Sequence, residues 1–131
     1  MKNIFFILLM LVFYSSSGQE TKEKQDPKPV VLYGTASYYA NKFNGRKTAN
    51  GEIFNQEKLT AACNVLPLGT WVRVTNLRNG RSVIVKVNDR LHSKMKRVVD
   101  LSRAAAQKLN FIRSGITKVK VEVLGNKNPE N

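Results

Sequence analysis

The chain has 131 residues, room for one domain, and carries 22 Lys and Arg against 9 Asp and Glu, a net charge of +13. A single cysteine excludes an internal disulfide, and one cysteine with one histidine excludes a Cys/His zinc site, so no metal and no cofactor is expected. The basic residues are spread along the chain, a field that draws nucleic acid, anionic lipid or an anionic cell wall without choosing among them.

The N-terminus narrows that choice. Met1-Lys2-Asn3 is a short basic start, Ile4 to Tyr14 is an unbroken apolar and aromatic run, and Ser15-Ser16-Ser17-Gly18 supplies small residues for a peptidase. This is the layout of a secretory signal over 1–18, cleaved near Gly18 and Gln19. The apolar run is shorter than the roughly 20 residues a helix needs to cross a hydrocarbon core, so no membrane span is expected after cleavage. No cysteine lies near the cleavage region to carry a lipid anchor. Export to the periplasm or the extracellular envelope counts against nucleic acid as the natural partner. Gln19 to Lys28 is charged and polar, with Pro27 and Pro29 beside it, and cannot pack a core. A flexible linker is therefore drawn over 19–33, a globular domain over 34–124 and a polar tail over 125–131.

Within the domain, Thr35–Tyr39 predicts a short first strand, and a helical turn is predicted around Gln56–Thr60. Pro67-Leu68-Gly69 punctuates the chain before a strand over Trp71–Thr75, with Val72 and Val74 on one face. Arg81–Val87 predicts the next strand, facing inward with Val83, Val85 and Val87. Asn79-Gly80 between the two reads as a hairpin turn, because both residues tolerate positive φ. Ser102 is a suitable N-cap for a helix over Arg103–Leu109, and Asp100 just ahead of it suits the helix dipole. Thr117–Val123 alternates again, with Val119, Val121 and Val123 inward. Short strands with one or two small helices predict an all-β fold with minor α content, a compact barrel.

The most informative run is Val85-Lys86-Val87-Asn88-Asp89-Arg90, a β-branched strand that ends on an acid between an amide and a guanidinium. That placement suits a carboxyl group that meets a substrate. Gly45-Arg46-Lys47-Thr48-Ala49-Asn50-Gly51-Glu52 lies upstream and Val99-Asp100-Leu101-Ser102 downstream. Cys63 reads either as a small buried side chain or as a reactive thiol. Lys94-Met95-Lys96-Arg97 is a solvated face or a contact for anionic wall polymer. Tyr38, Tyr39, Phe43 and Trp71 are either core residues or stacking platforms for sugar rings.

Eight blocks in order resemble the rare lipoprotein A family: Gly34–Tyr39, Phe43–Glu52, Leu59–Ala62, Leu66–Thr70, Val72–Asn76, Asn79–Val83, Val87–Arg90 and Val99–Ala106. The resemblance spans Gly34–Leu124. It implies a six-stranded double-psi β-barrel, related to expansin and barwin-like barrels. Members act on peptidoglycan, several as lytic transglycosylases that prefer glycan strands stripped of peptides and leave 1,6-anhydro-N-acetylmuramic acid ends. The partner it implies is therefore the peptidoglycan glycan strand. It implies catalytic roles for Asp89, as acid and then base, and for Glu52. Candidate glycan contacts are Arg46, Thr48, Asn50, Cys63, Asn88, Arg90 and Asp100. To act as an acid, Asp89 needs a poorly solvated cleft, and Arg90 on the same carboxylate would oppose it.

The chain departs from the family pattern in places. The family's third site position is a His after an Ala-Ala pair, and it falls on Cys63. A thiol donates weakly and titrates higher than an imidazole. A non-catalytic glycan-binding barrel therefore stands beside the enzyme, and a basic adaptor that ignores the cleft is a third reading. Asn44 stands where many members have His. The sole histidine, His92, lies in a loop where members more often have Gly-Pro, and it reads as solvated.

Overall fold

The structure is a computed structural model that describes residues 29–131. The expected signal at 1–18 and the first part of the linker lie outside the described residues. Six strands follow in chain order: β1 (Val31–Tyr38), β2 (Thr60–Ala62), β3 (Trp71–Asn76), β4 (Ser82–Asp89), β5 (Val99–Leu101) and β6 (Thr117–Gly125). One helix, α1 (Arg103–Lys108), sits between β5 and β6, and a single 3-10 turn covers Asn41–Phe43. The strands close into a barrel in the order β1-β5-β2-β4-β3-β6. β1 with β5 and β2 with β4 run parallel, and the other neighbours are antiparallel.

The valine alternation fills the barrel. Val72 and Val74 of β3, Val83, Val85 and Val87 of β4, and Val119 and Val121 of β6 are buried together with Ala36, Ala61, Val99 and Leu101. β-branched side chains fit a pleated surface packed on one face, and each fully buried Val or Leu contributes about 1.5–3 kcal/mol. Val123, expected inward, is only half-buried, near the end of β6. Ala105, Ala106, Leu109 and Phe111 extend the same core beneath α1.

The hairpin between β3 and β4 differs in its turn from the expectation. Gly80 alone takes a positive φ, +76°, and the loop closes by Gly80 N–H donating to Asn76 O at 2.8 Å and Asn76 N–H to Arg81 O at 2.8 Å. Asn79 instead donates through Nδ2 to Leu109 O at 2.9 Å, beside Asn76 Nδ2 on the same oxygen at 2.8 Å. Asn76 is buried with its Oδ1 accepting from Thr117 Oγ1 at 2.8 Å and Arg78 N at 3.0 Å, so its polar atoms are satisfied. The two asparagines thus tie the hairpin to the end of α1, where Asn110 takes a positive φ of 57°.

Two local expectations are corrected. The linker drawn over 19–33 ends sooner, because Val31, Leu32 and Tyr33 pair with Glu122, Val121 and Lys120 of β6. The helical turn expected around Gln56–Thr60 is a single turn closed by Lys58 N donating to Asn55 O at 3.1 Å, with no helix, and Thr60 opens β2. Gln56 serves α1 instead: its Oε1 accepts from Arg103 N at 2.7 Å, its backbone oxygen accepts from Ala104 N at 2.9 Å, and its Nε2 donates to Tyr39 O at 2.8 Å. Those contacts satisfy free amides at the helix start, with Ser102 Oγ accepting from Ala105 N as the N-cap.

Gly34 of β1 lies where a Cβ atom would stand 2.9 Å from Val98 Cβ. Gly34→Ala is therefore expected to destabilise the barrel by about 1–3 kcal/mol through overpacking. Thermal melting checks it, and an unchanged midpoint would mean that β1 shifts without cost.

Candidate functional site

Asp89 closes β4, and the way it faces is set by a bulge. The register of β2 on β4 runs Thr60 with Lys86, Ala61 with Val87, then Ala62 with Asp89, so Asn88 is the extra residue. By strict alternation Asp89 would share the inward face of Val87. The bulge re-aims it outward, onto the side of Ala62. Ala62 pairs in turn with Asp100 of β5, and Asp100 with Ser37 of β1. Ser37, Asp100, Ala62 and Asp89 form one row across four strands, outside the valine core.

A second apolar cluster borders this row: Tyr39, Phe54, Ala62 and Leu91, with Phe43 against it. Tyr39 stacks on Phe54 at 4.1 Å between ring centroids and donates its hydroxyl to Asp89 Oδ2 at 2.6 Å. Burial, then the Asp89 hydrogen bond, pushes the Tyr39 phenol far above its ordinary range, so it stays a donor. Asp89 Oδ1 accepts from Ala49 N and Arg90 N, each at 2.9 Å. The carboxylate thus accepts from all three partners. The Arg90 side chain does not reach it. Its guanidinium donates to the backbone oxygens of Cys63 and Leu66 and holds that loop against the end of β4.

Glu52 stands on the neighbouring stretch of the outer face. Gly51, at φ +89°, turns the loop so that Thr48 N donates to Glu52 O at 2.8 Å. Asn50 locks the turn, its Oδ1 accepting from Thr48 Oγ1 at 2.6 Å and Glu52 N at 3.0 Å. Glu52 Oε1 accepts from Lys86 Nζ at 2.8 Å and Asn50 Nδ2 at 2.6 Å, and Oε2 from Asn88 Nδ2 at 3.4 Å. The Lys86 ammonium, foremost, holds the Glu52 carboxyl below its ordinary range. Asn88 is buried, and its Oδ1 has no partner among the described residues. Trp71, Ile84, Thr60 and Leu59 line a groove of about 530 Å³ beside Glu52 and Lys86, and Asn128 and Glu130 of the tail reach it.

Asp100 has a different setting from Asp89. Ser37 Oγ donates to its Oδ1 at 2.8 Å. Burial raises its carboxyl above the ordinary range, Asp89 adds to that, and Ser37 and Arg97 oppose it.

The expected site residues therefore divide. Asp89 and Asp100 share the row, and Thr48, Asn50 and Asn88 gather around Glu52. Arg46 is exposed, its guanidinium 5.4 Å from the centroid of the Phe43 ring. Cys63 is fully buried in the valine core and presents no surface. Tyr38 is a packing residue, edge-on to Phe111 and donating to Ile112 O at 2.9 Å. The sequence did not single out Ser37 or Lys86, and Tyr39 only as a stacking or core aromatic. Their signal is parity: Ser37 and Tyr39 alternate with inward Ala36, and Lys86 with inward Val85 and Val87. Among the described residues no three His, Cys, Asp or Glu side chains group as a metal site, and no helix is long and apolar enough to cross a membrane.

The family model described as lytic transglycolase matches residues 32–121. Two relatives named endolytic peptidoglycan transglycosylase RlpA are similar to this chain. The one from Haemophilus influenzae is 46% identical over 113 residues, 85% of this chain and 39% of its own length. The one from Pasteurella multocida is 54% identical over 104 residues, 79% of this chain and 35% of its own length. The chain thus spans well under half of these relatives. Two solved structures are similar in fold. Streptomyces papain inhibitor has a TM-score of 0.59 at 24% identity, covering 72% of this chain and 94% of its own. Apo expansin from Clavibacter michiganensis has a TM-score of 0.62 at 19% identity, covering 76% and 52%.

Proposed function

The chain belongs to the lytic transglycolase family, as an RlpA-like double-psi β-barrel, and from that premise we propose that it is an exported protein that cleaves peptidoglycan glycan strands endolytically, leaving 1,6-anhydro-N-acetylmuramic acid ends. The observation that carries this reading is the bulge at Asn88, which aims Asp89 out of the core and into a row with Asp100.

The reaction needs a proton for the oxygen leaving the anomeric carbon, and an anion near the positive charge that develops there. The sugar's own C6 hydroxyl then attacks in place of water. One carboxyl serves as acid and then base, so the paired water-activating geometry of ordinary glycoside hydrolysis is not required. Asp89, held in place by Tyr39 Oη and by the Ala49 and Arg90 backbone amides, is the carboxyl proposed to give and then take the proton. Glu52, kept ionised by Lys86, offers acceptors to sugar hydroxyls beside it. Thr48 and Asn50 set the loop that carries Glu52.

A second reading is a glycan-binding barrel without turnover, favoured by Cys63, which stands where the family's imidazole is expected and is fully buried. Incubation with peptidoglycan stripped of its peptides separates the two. The enzyme releases soluble glycan fragments, whereas the binding module is retained on the polymer and releases none. Loss of retention at about 1 M salt, where the Debye length falls to about 3 Å, would instead favour a charge-only adaptor.

Export rests on the basic, apolar and small-residue order of 1–18 and on the place of peptidoglycan in the envelope. The mature chain is expected to begin near Gln19 in the periplasmic or extracellular fraction. N-terminal sequencing checks this, and a cytoplasmic chain that retains Met1 would contradict it.

A further inference from the structure

We propose that the groove on the outer face of β3 and β4 is a sugar subsite, in which the indole of Trp71 carries an uncharged N-acetylglucosamine unit of the glycan strand. The subsite rests on the glycan reading above and serves a cleaving and a merely binding barrel alike.

Strand register builds the groove. Val72 and Val74 of β3 and Val83 and Val85 of β4 point into the core, so their neighbours Trp71 and Ile84 stand on the outer face, each half-buried. Thr60 of β2 pairs with Lys86 of β4, Lys86 with Trp71 of β3, and Trp71 with Gly125 of β6. One row thus crosses four strands, and its last member has no side chain to cover the indole. A Cβ placed on Gly125 would meet no heavy atom within 4 Å. Trp71, Ile84 and Leu59 line the groove of about 530 Å³ together with the Glu52–Lys86 pair. That volume lies within the roughly 300–1,000 Å³ of small-ligand clefts.

A sugar ring has an apolar face of C–H bonds and a rim of hydroxyl and amide groups. The groove answers both. The indole and two aliphatic side chains suit the face, and Glu52 suits the rim. Glu52 Oε2 accepts only a long 3.4 Å contact from Asn88 Nδ2, so it keeps capacity to accept from a hydroxyl. The loop that carries Glu52 also holds Asp89, through the Ala49 amide. Lys86 and Asp89 are three residues apart on β4, roughly 10 Å at the rise of a strand. A glycan strand seated on Trp71 therefore runs on to Asp89.

The charge of the groove selects the sugar. Glu52, Glu57 and Glu130 line it against Lys58 and Lys86, three acids to two bases in a chain of net charge +13. Lys86 is already paired with Glu52 at 2.8 Å. Such a groove does not draw a carboxylate, although the chain as a whole draws anions. The glycan strand alternates two sugars. N-acetylmuramic acid stripped of its peptide carries a free carboxylate, and N-acetylglucosamine carries none, which places the latter over Trp71.

Trp71 is the sole tryptophan of the chain, so its emission reports on the groove without a label. The probe is a tetramer of N-acetylglucosamine, which holds no muramic acid for the proposed cleavage to act on. Titration is expected to shift the emission saturably to shorter wavelength, and to do so equally at about 1 M salt, where surface charge is screened. Trp71→Ala is expected to weaken calorimetric binding of the tetramer roughly 10-fold or more, and Trp71→Phe to keep most of it. Tyr33→Ala, which removes an exposed ring on β1 outside the groove, should leave binding unchanged. On peptide-free glycan, Trp71→Ala should raise KM more than it lowers kcat. Calorimetric binding without a change in emission overturns the subsite, as does the absence of binding or a response lost at high salt. If melting shows Trp71→Ala unfolded, the wild-type emission and Trp71→Phe decide. Failure of the cleavage reading is seen separately: a chain that binds the tetramer at Trp71 and leaves peptidoglycan intact loses the enzymatic reading and keeps the subsite.

Discussion

Asp89→Asn is expected to lower turnover on peptide-free glycan by roughly 100- to 10,000-fold, the usual contribution of a positioned acid–base group. The fold should survive. Asparagine keeps the shape of the side chain, and its Oδ1 can still accept from Ala49 N and Arg90 N, each now at 2.9 Å. The Tyr39 hydroxyl, which donates to Oδ2 at 2.6 Å, can rotate to accept from the new amide. What disappears is the carboxyl group that the proposed cleavage uses. Initial rates measured beside glycan binding and thermal melting check this. A folded variant with full turnover would take Asp89 out of the chemistry.

Cys63→His is expected to be the most damaging single change to the fold. The thiol is fully buried among the barrel valines. An imidazole there overpacks the core, at a cost of about 1–3 kcal/mol, and leaves ring nitrogens without partners, at about 1–3 kcal/mol more. Against a total stability of roughly 5–15 kcal/mol for a domain, that is a large fraction. Chemical denaturation should show a much lower midpoint at an unchanged slope, with no gain in turnover. A stable variant with faster turnover would show that the position reaches the site after all, and that the missing imidazole limits the natural chain.

The barrel was legible where valines alternate. Trp71–Thr75, Arg81–Val87 and Thr117–Val123 each carry a run of alternating valines, and the structure has β3, β4 and β6 there. β2 and β5 were not legible from pattern, because three residues give no period to read. Their neighbours were noticed only through the family resemblance. The helix start at Ser102 was legible because a cap is a local chemical signal. The turn at Gln56 does not continue as a helix, because its side chain caps the distant α1 and Thr60 joins β2.

The site was legible in part, and for related reasons. Asp89 at a strand end, Glu52 after a glycine turn and Asp100 before a helix can all be found by position. Their facing cannot, since one extra residue at Asn88 reverses the side of the sheet that Asp89 occupies. Arg90 shows the same limit. Beside Asp89 in sequence, it looks like a charge partner, yet its guanidinium holds the Cys63–Leu66 backbone instead. Tyr39 was read as core or stacking, and its ring is indeed packed on Phe54, but its hydroxyl is one of three groups that hold Asp89 in place.

The measurement that bears most directly on the proposed cleavage is mass analysis of the glycan ends released from peptide-free sacculi by the wild-type chain. Ends that carry 1,6-anhydro-N-acetylmuramic acid are predicted, with no oxygen taken up from labelled water. Reducing ends that incorporate that label, or sacculi left intact by protein bound to them, would contradict it.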